Sequence, residues 1–383
     1  MGADAQVKAH VGAPKQALSS ALTLPEAMTR PRILFTCGNE AAYVRNLLVR
    51  RALQQQFDVT EVTDDQPGSL LVRNFRLLPR VVRALRTPHD LVFAGFYGYF
   101  LTLILTRLTR KPVLLDAFVS NWDTMCFDRQ SFEPYSMLGR LAFRLDRRAC
   151  LDASHCLLDT ETHRRYFVDT FGIPDSHVST YYVGYDEKLF YPRPAPPGSG
   201  RLVVFYYGSY LPLHGVQHIV RAAKLLESEP GIEFRLIGDG IMYPQARQLA
   251  DQLGVQRLTF HPPVPYGDLP AAIAESSICL GGPFGSNDKA RRVIASKTFQ
   301  FVAMGRATIV GDSPANREVF TNGEDVMMCR MADAKALAST ILQLCRDASL
   351  RERIAQRGGQ HCRDAFGSQP QARGLRHIIE RLL

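Results

Sequence analysis

Residues 288–305 read DKARRVIASKTFQFVAMG. Lys289, Arg291, Arg292 and Lys297 gather where an apolar helical run begins, and the run stops at Gly305. A helix N-terminus already carries partial positive charge, so extra cations are unfavourable there unless an anion neutralises them. A phosphate-bearing ligand suits this placement; the plainer alternative is a basic stripe facing water. Two glycine turns point the same way. YGSYLPLHGV reads as strand, turn and helix start. Gly208 lets backbone approach a ligand closely, and Gly215 opens the helix. Ser209 and His214 lie in that loop, and His214 can donate a hydrogen bond and charge when protonated. LIGDG ends another strand with Gly238, Asp239 and Gly240, and its glycines allow tight turning.

More chemistry-bearing residues fall at strand ends in the first half. Gly38 follows the first apolar strand. DAFVSNWDTMCFDRQ carries Asp116, Ser120, Asp123, Asp128 and Arg129, together with the chain's single tryptophan, Trp122, an aromatic platform for a sugar or lipid. DTETH offers Asp159 and His163. Asp123 and His163 are the candidates for contact with reacting groups; the alternative is a capping Asp and a surface His. Asp159 or Thr160 is placed to cap the helix that follows. No CxxC pair or Cys/His cluster has metal-ligand spacing. The eight cysteines mostly sit in apolar runs, so buried reduced thiols and a cytosolic compartment are expected.

The elements that must hold these residues repeat along the chain. From Arg32, short apolar strands such as RILFTC, DLVFAGF and KPVLLDAF alternate with helical patterns such as YGYFLTLILTRLTR and SMLGRLAFRLDRRACLDA. YDEKLFYPRPAPPGSGR interrupts the alternation with Pro, Gly and Ser, and LVVFYYG restarts it. The pattern predicts two parallel sheets with helices on both faces, and a ligand cleft at the carboxyl ends of the strands. A length of 383 residues suits two domains. The net charge of +9 favours anionic partners: nucleotide phosphates, an anionic membrane surface or nucleic acid. No nucleic-acid module is recognisable, and arginines and Pro112 break the most apolar segment, so no bilayer span is predicted. The first thirty residues lack the apolar core of a secretory signal and read as a tail.

From Val203 to Glu318 the ordered set FYYGSYLPLHG, LIGDG, HPPVPYGDLP, SKTFQFVAMG and SPANRE resembles glycosyltransferase family 4, the retaining, nucleotide-sugar-dependent enzymes of GT-B architecture. The resemblance implies two Rossmann-like domains facing a cleft: residues 31–185 binding the acceptor and 202–366 the donor. Residues 1–30 form the tail, 186–201 the linker, and 367–383 a terminal helix expected to pack back on the first domain. It implies a Gly38 loop near the sugar or diphosphate, a base contact near Val264, and donor contacts from Gly238, Asp239, Gly240 and Glu318. Where the family has Arg and Lys in the glycine loop, this chain has Ser209 and His214. Where it has two Glu eight residues apart, the second gripping ribose, this chain has Arg292 and Gln300. Lys289, Arg292 and Lys297 are expected to replace the missing loop cations. The activity implied is metal-independent hexosyl transfer from a UDP- or GDP-sugar to a saccharide or lipid-linked acceptor in polysaccharide or glycoconjugate biosynthesis, with no cofactor beyond the nucleotide-sugar. The protein is expected in the cytoplasm, and its basic, partly apolar helices suit peripheral contact with a membrane. A degenerate protein that binds nucleotide without turnover and a nucleotide-sugar 2-epimerase are the alternatives.

Overall fold

The computed structural model describes residues 30–38, 40–194 and 200–383. The expected tail, as far as residue 29, and residues 195–199 of the expected linker lie outside the described residues.

The first half runs β1 (Arg32–Cys37), α1 (Val44–Gln56), β2 (Asp58–Val62), α2 (Leu70–Ala84), β3 (Leu91–Gly95), α3 (Tyr99–Leu108) and β4 (Val113–Asp116). A short turn α4 (Asn121–Asp123) then widens into a π-type turn at Thr124–Asp128. After it come α5 (Met137–Asp152), β5 (His155–Leu158), α6 (Glu161–Phe171) and β6 (Val178–Thr180). These strands form one sheet in the order β2-β1-β3-β4-β5-β6.

The second half repeats the plan with β7 (Leu202–Tyr207), α7 (Val216–Leu225), β8 (Ile232–Ile237), α8 (Tyr243–Leu253), β9 (Leu258–His261), α9 (Leu269–Ala274) and β10 (Ile278–Leu280). It continues through α10 (Asp288–Arg292), α11 (Ser296–Ala303), β11 (Ala307–Gly311), α12 (Pro314–Val319), β12 (Met327–Cys329), α13 (Ala334–Arg346), α14 (Ala348–Phe366) and α15 (Ser368–Glu380). Its sheet is ordered β12-β11-β10-β7-β8-β9. Every paired strand is parallel.

Parallel strands covered on both faces read as unbroken apolar runs, and β3 is buried at all five positions. On one face of the first sheet, α2, α3, α5 and α6 pack over Leu34, Val92 and Leu115. On the other, α1 lies with α15, whose Ala372, Leu375 and Ile379 join Val49 and Leu53. An aromatic cluster bridges the two halves, with Phe96 and Phe118 just past β3 and β4 of the first and Phe205 of β7 and Phe299 of α11 from the second. The strand order reverses direction between β1 and β3 and between β7 and β10. Such switch points open a crevice at the strands' carboxyl ends. Gly38 and Gly208 sit at those ends, directly after β1 and β7.

Candidate functional site

Both crevices contribute to one cleft of about 330 Å³. Its first-domain wall includes Tyr97, Thr124, Asp128, Arg129 and Asp159; its second-domain wall includes Gly208, Ser209, His214, Lys289, Lys297 and Gln300. A neighbouring hollow of about 310 Å³ shares Tyr207, Gly208, Ser209 and Tyr266, and is closed by Gly238, Asp239, Pro263 and Val264.

The glycines set the walls. A Cβ at Gly208, whose φ is +148°, would lie 3.0 Å from both Cε and Nζ of Lys297. Without it, the lysine lies against the loop. A Cβ at Gly238 would lie 2.0 Å from the Gly208 carbonyl oxygen, so only glycine lets the two turns touch. Gly240 backs onto Tyr210 in the same way. Asp239 is tied into its own turn, its Oδ1 accepting from the Gly240 N–H at 2.7 Å. Gly38 lies beneath Tyr97, whose carbonyl oxygen would be 2.1 Å from an added Cβ. Tyr97 reaches the cleft from a left-handed backbone with φ 61°.

Lys297 is the most telling side chain. It is 5% exposed, hydrogen-bonds Tyr206 Oη at 3.5 Å and lies 4.5 Å from that ring's centroid. Among the described residues it makes no ion pair, and burial lowers its pKa to about 7. It sits in the first turn of α11, where no side chain caps the free N–H groups. A buried cation without a counter-ion beside an uncapped helix start is an anion-binding arrangement. Lys289 is buried in the same cleft, hydrogen-bonding Thr124 Oγ1 at 2.7 Å with Asp128 3.7 Å away. Its burial lowers its pKa, and Asp128 and Asp123 oppose that shift.

Several expectations change. The opening stretch is not one helix. Asn287 caps α10, the backbone is extended at Val293, and α11 starts at Ser296. Arg292 therefore turns away from the cleft. Its guanidinium donates to Asp123 Oδ1 at 2.6 Å and covers the Tyr166 ring at 3.8 Å. Asp123 and Arg292 form an ion pair across the domain boundary, and neither lines the cleft. His163 is 1% exposed, its Nδ1 bonded to Asp159 at 2.6 Å, and Asp159 rather than His163 meets the cleft.

Glu318 also serves the boundary. Its carboxylate accepts from the N–H groups of Glu161 and Thr162 at 2.7 and 2.6 Å, capping α6 of the other domain. Thr160 is the side-chain cap of α6, accepting from the His163 N–H at 3.0 Å. Trp122 is half-buried and packs against the first-domain core, with Phe127, Phe143 and Phe171 edge-on around it.

Gln300 is held at both ends. Its Oε1 accepts from Tyr207 Oη, and its Nε2 donates to Tyr266 Oη at 3.2 Å. Direct ribose contact would have to displace a tyrosine hydroxyl. His214 donates from Nδ1 to the Ser209 carbonyl, and burial and then Lys297 push its pKa well down. The neutral ring therefore presents Nε2 as an acceptor, which suits a hydroxyl better than a phosphate. Tyr207, Tyr266 and Thr124 were not singled out as binding residues from sequence, whereas Asp128 and Arg129, named there among the strand-end residues, do line the cleft. Tyr207 had a findable signal, since it ends β7 beside Gly208; Tyr266 comes from a connection with no such mark.

A family model described as "Glycosyl transferase-like" matches residues 216–376. The lipopolysaccharide core biosynthesis glycosyltransferase LpsD of Rhizobium meliloti (strain 1021) is 28% identical over 188 residues. That match takes in 46% of this chain and 51% of LpsD, so the chain spans about half the length of this curated relative. The crystal structure of Anabaena HepE in complex with UDP and glucose superposes with a TM-score of 0.68 at 16% identity, covering 92% of this chain and 100% of that one. Sucrose-phosphate synthase from Thermosynechococcus elongatus superposes with a TM-score of 0.72 at 15% identity, covering 92% and 99%. At such identities the likeness is one of fold: the chain has the two-sheet GT-B architecture. Among the described residues, no helix is long and apolar enough to cross a membrane.

Proposed function

We propose that this protein is a retaining glycosyltransferase that moves a hexose from a UDP- or GDP-sugar to a saccharide or lipid-linked saccharide in glycoconjugate biosynthesis. The observation that carries the reading is Lys297, a buried ammonium without an acidic partner, held against Gly208 at the uncapped start of α11. The base occupies the hollow between Gly238 and Val264. The diphosphate lies on the Gly208–Ser209 backbone and the α11 N–H groups, facing Lys297 and Lys289. The sugar points toward Asp128 and Asp159 on the first domain.

In the transfer step the bond between the anomeric carbon and the diphosphate oxygen breaks, and an acceptor oxygen bonds to the same face of that carbon. The acceptor proton passes to the departing phosphate oxygen. The chain's part is electrostatic: fixed ammonium groups and backbone N–H groups stabilise charge that grows on the leaving group. Arg292 plays no part in holding the phosphate on this account. The likeness to HepE, whose structure contains UDP and glucose, and the partial match to LpsD support the reading.

Screening hydrolysis of UDP- and GDP-sugars by the full chain tests it. Release of a nucleoside diphosphate from one donor, lost in Lys297→Ala, is expected. Nucleotide binding without turnover on any donor and acceptor would instead favour a degenerate binding protein.

A further inference from the structure

The chain passes between its two halves twice. One crossing is the segment that follows β6. The other is at Gly367, where α14, packed on α11 and β11, gives way to α15, packed on α1. The two crossings touch. Glu187 on the first accepts from Ser368 Oγ on the second. A Cβ at Gly367 would lie 2.2 Å from Glu187 Oε1, and one at Gly184 would lie 3.0 Å from the Phe366 carbonyl oxygen.

Between the crossings and α1 lies a cavity of about 290 Å³ that shares no lining residue with the cleft. Its size is near the lower end for ligand pockets, with room for one sugar unit or two. Leu48, Ala52 and Val183 supply apolar wall. The charges balance: Arg51 pairs with Asp186 at 2.6 Å, and Glu187 and Lys188 add one charge of each sign. Tyr181 and Tyr185 also line the cavity, 6% and 4% exposed. Neither hydroxyl has a hydrogen-bond partner among the described residues, and nor does the Gln371 carboxamide. Buried tyrosine hydroxyls ordinarily find a partner.

This set of groups selects a ligand class. Hydroxyls and carboxamides both donate and accept. An anionic ligand calls for an excess of positive charge, which balanced charges do not provide. An alkyl chain leaves the polar groups unmet. A neutral sugar carries hydroxyls around its edge and C–H groups on its ring faces, and so matches the polar and the apolar wall together.

The segment after β6 also reaches the cleft. Tyr182, between two cavity residues, donates to Glu318 at 3.2 Å in the other half. Phe190 packs on the ring of Tyr266 with centroids 5.3 Å apart, and Tyr266 lines the cleft. Burial, and then the Asp186 carboxylate, push the Tyr266 hydroxyl's pKa up, so the Arg51–Asp186 pair lies within electrostatic reach of the cleft wall.

We infer that this cavity is a second binding site, for a neutral saccharide of one or two units, and that a bound sugar staples the two crossings together and restrains opening of the cleft. The site does not depend on what the cleft transfers.

NMR titration of the full chain with glucose, galactose, N-acetylglucosamine and maltose tests the inference. At least one of them is expected to bind with a Kd of about 1 mM or tighter, without displacement by inorganic phosphate. At saturation, hydrogen exchange should slow in both 181–188 and 367–372. Tyr181→Phe with Tyr185→Phe, and separately the cavity-filling Ala52→Leu, should each weaken sugar binding by about tenfold. The two Phe substitutions keep the ring packing, so that variant reads the site even where Ala52→Leu lowers the melting temperature. No binding of any of the four sugars at about 20 mM would overturn the inference. So would parent-like binding by the Phe variant, unchanged exchange at the crossings, or displacement of the sugar by phosphate. Loss of sugar binding in Lys297→Ala alone would place the sugar in the cleft and overturn it as well.

Discussion

Burying the Lys297 ammonium beside Tyr206 and Gly208 lowers its pKa to about 7 from the ordinary value of 10.5. The unfolded chain then binds more protons than the folded one between those two values. The resulting penalty is fully present below about pH 7 and is relieved as pH rises toward 10.5. Lys297→Met should therefore stabilise the protein more at pH 6 than at pH 9, by an amount on the order of a few kcal/mol. Thermal melts at the two pH values check this. A bound diphosphate favours the charged amine, so UDP binding should take up a proton above about pH 7 and weaken as pH rises further. Calorimetry in buffers of different ionisation enthalpy reads that uptake, and Lys297→Met should abolish it.

Arg292 behaves differently although it lies only five positions away. Its partner Asp123 is 2% exposed, so Arg292→Ala strands a buried carboxylate. Removing one member of such a pair costs about 3–5 kcal/mol. The expected result is a lower melting temperature, with the ratio of UDP to uridine affinity close to that of the parent. A collapse of that ratio would return Arg292 to the phosphate site. The residue types at 289, 292 and 297 read in sequence as one cationic set. Their division was not legible, because it depends on where the helix breaks, and the apolar Val293 and Ile294 conceal the break.

At the scale of elements, α6 is held from both domains. Thr160 caps it locally, and Glu318 of α12 accepts from its first N–H groups across the boundary. Glu318→Ala leaves these helix-start donors without a protein partner and should cost about 1–2 kcal/mol. Small-angle scattering should then show a larger radius of gyration, because a lost clasp favours an opened cleft. An unchanged radius would limit Glu318 to a local cap.

Most elements could be read from pattern alone. SMLGRLAFRLDRRACLDA became α5 with Ser136 as its cap, accepting from the Gly139 N–H at 3.1 Å. The helix α14 runs through Gly358 and Gly359, the first of which lies where a Cβ would be 2.3 Å from the Asp325 carbonyl oxygen. Tertiary contact, not helix propensity, accounts for that glycine. The roles of Glu318 and Trp122 could not be read, since partners distant in sequence decide them, the first turn of α6 for one and Phe143 and Phe171 for the other; His163 is tied instead to Asp159, four residues before it in the same motif.

At the scale of the whole molecule, two parallel sheets meet at their switch points, and the aromatic cluster around Phe96, Phe118, Phe205 and Phe299 joins the two halves. Positive charge in the cleft comes from the chain's own lysines and helix start, so transfer on this account should proceed equally well with a chelator present. A rate that falls with EDTA and returns with Mg²⁺ would require a metal in the step.

The central claim is that the cleft holds the diphosphate of a nucleotide-sugar. Titration calorimetry of the full chain with UDP, GDP and the matching nucleosides tests it most directly. One diphosphate should bind, with an affinity at least about a hundredfold above that of its nucleoside, since two or more charge-assisted contacts separate them. Lys297→Ala should remove most of that difference. Failure of both diphosphates to bind at millimolar concentration, or equal binding of diphosphate and nucleoside, would contradict the account.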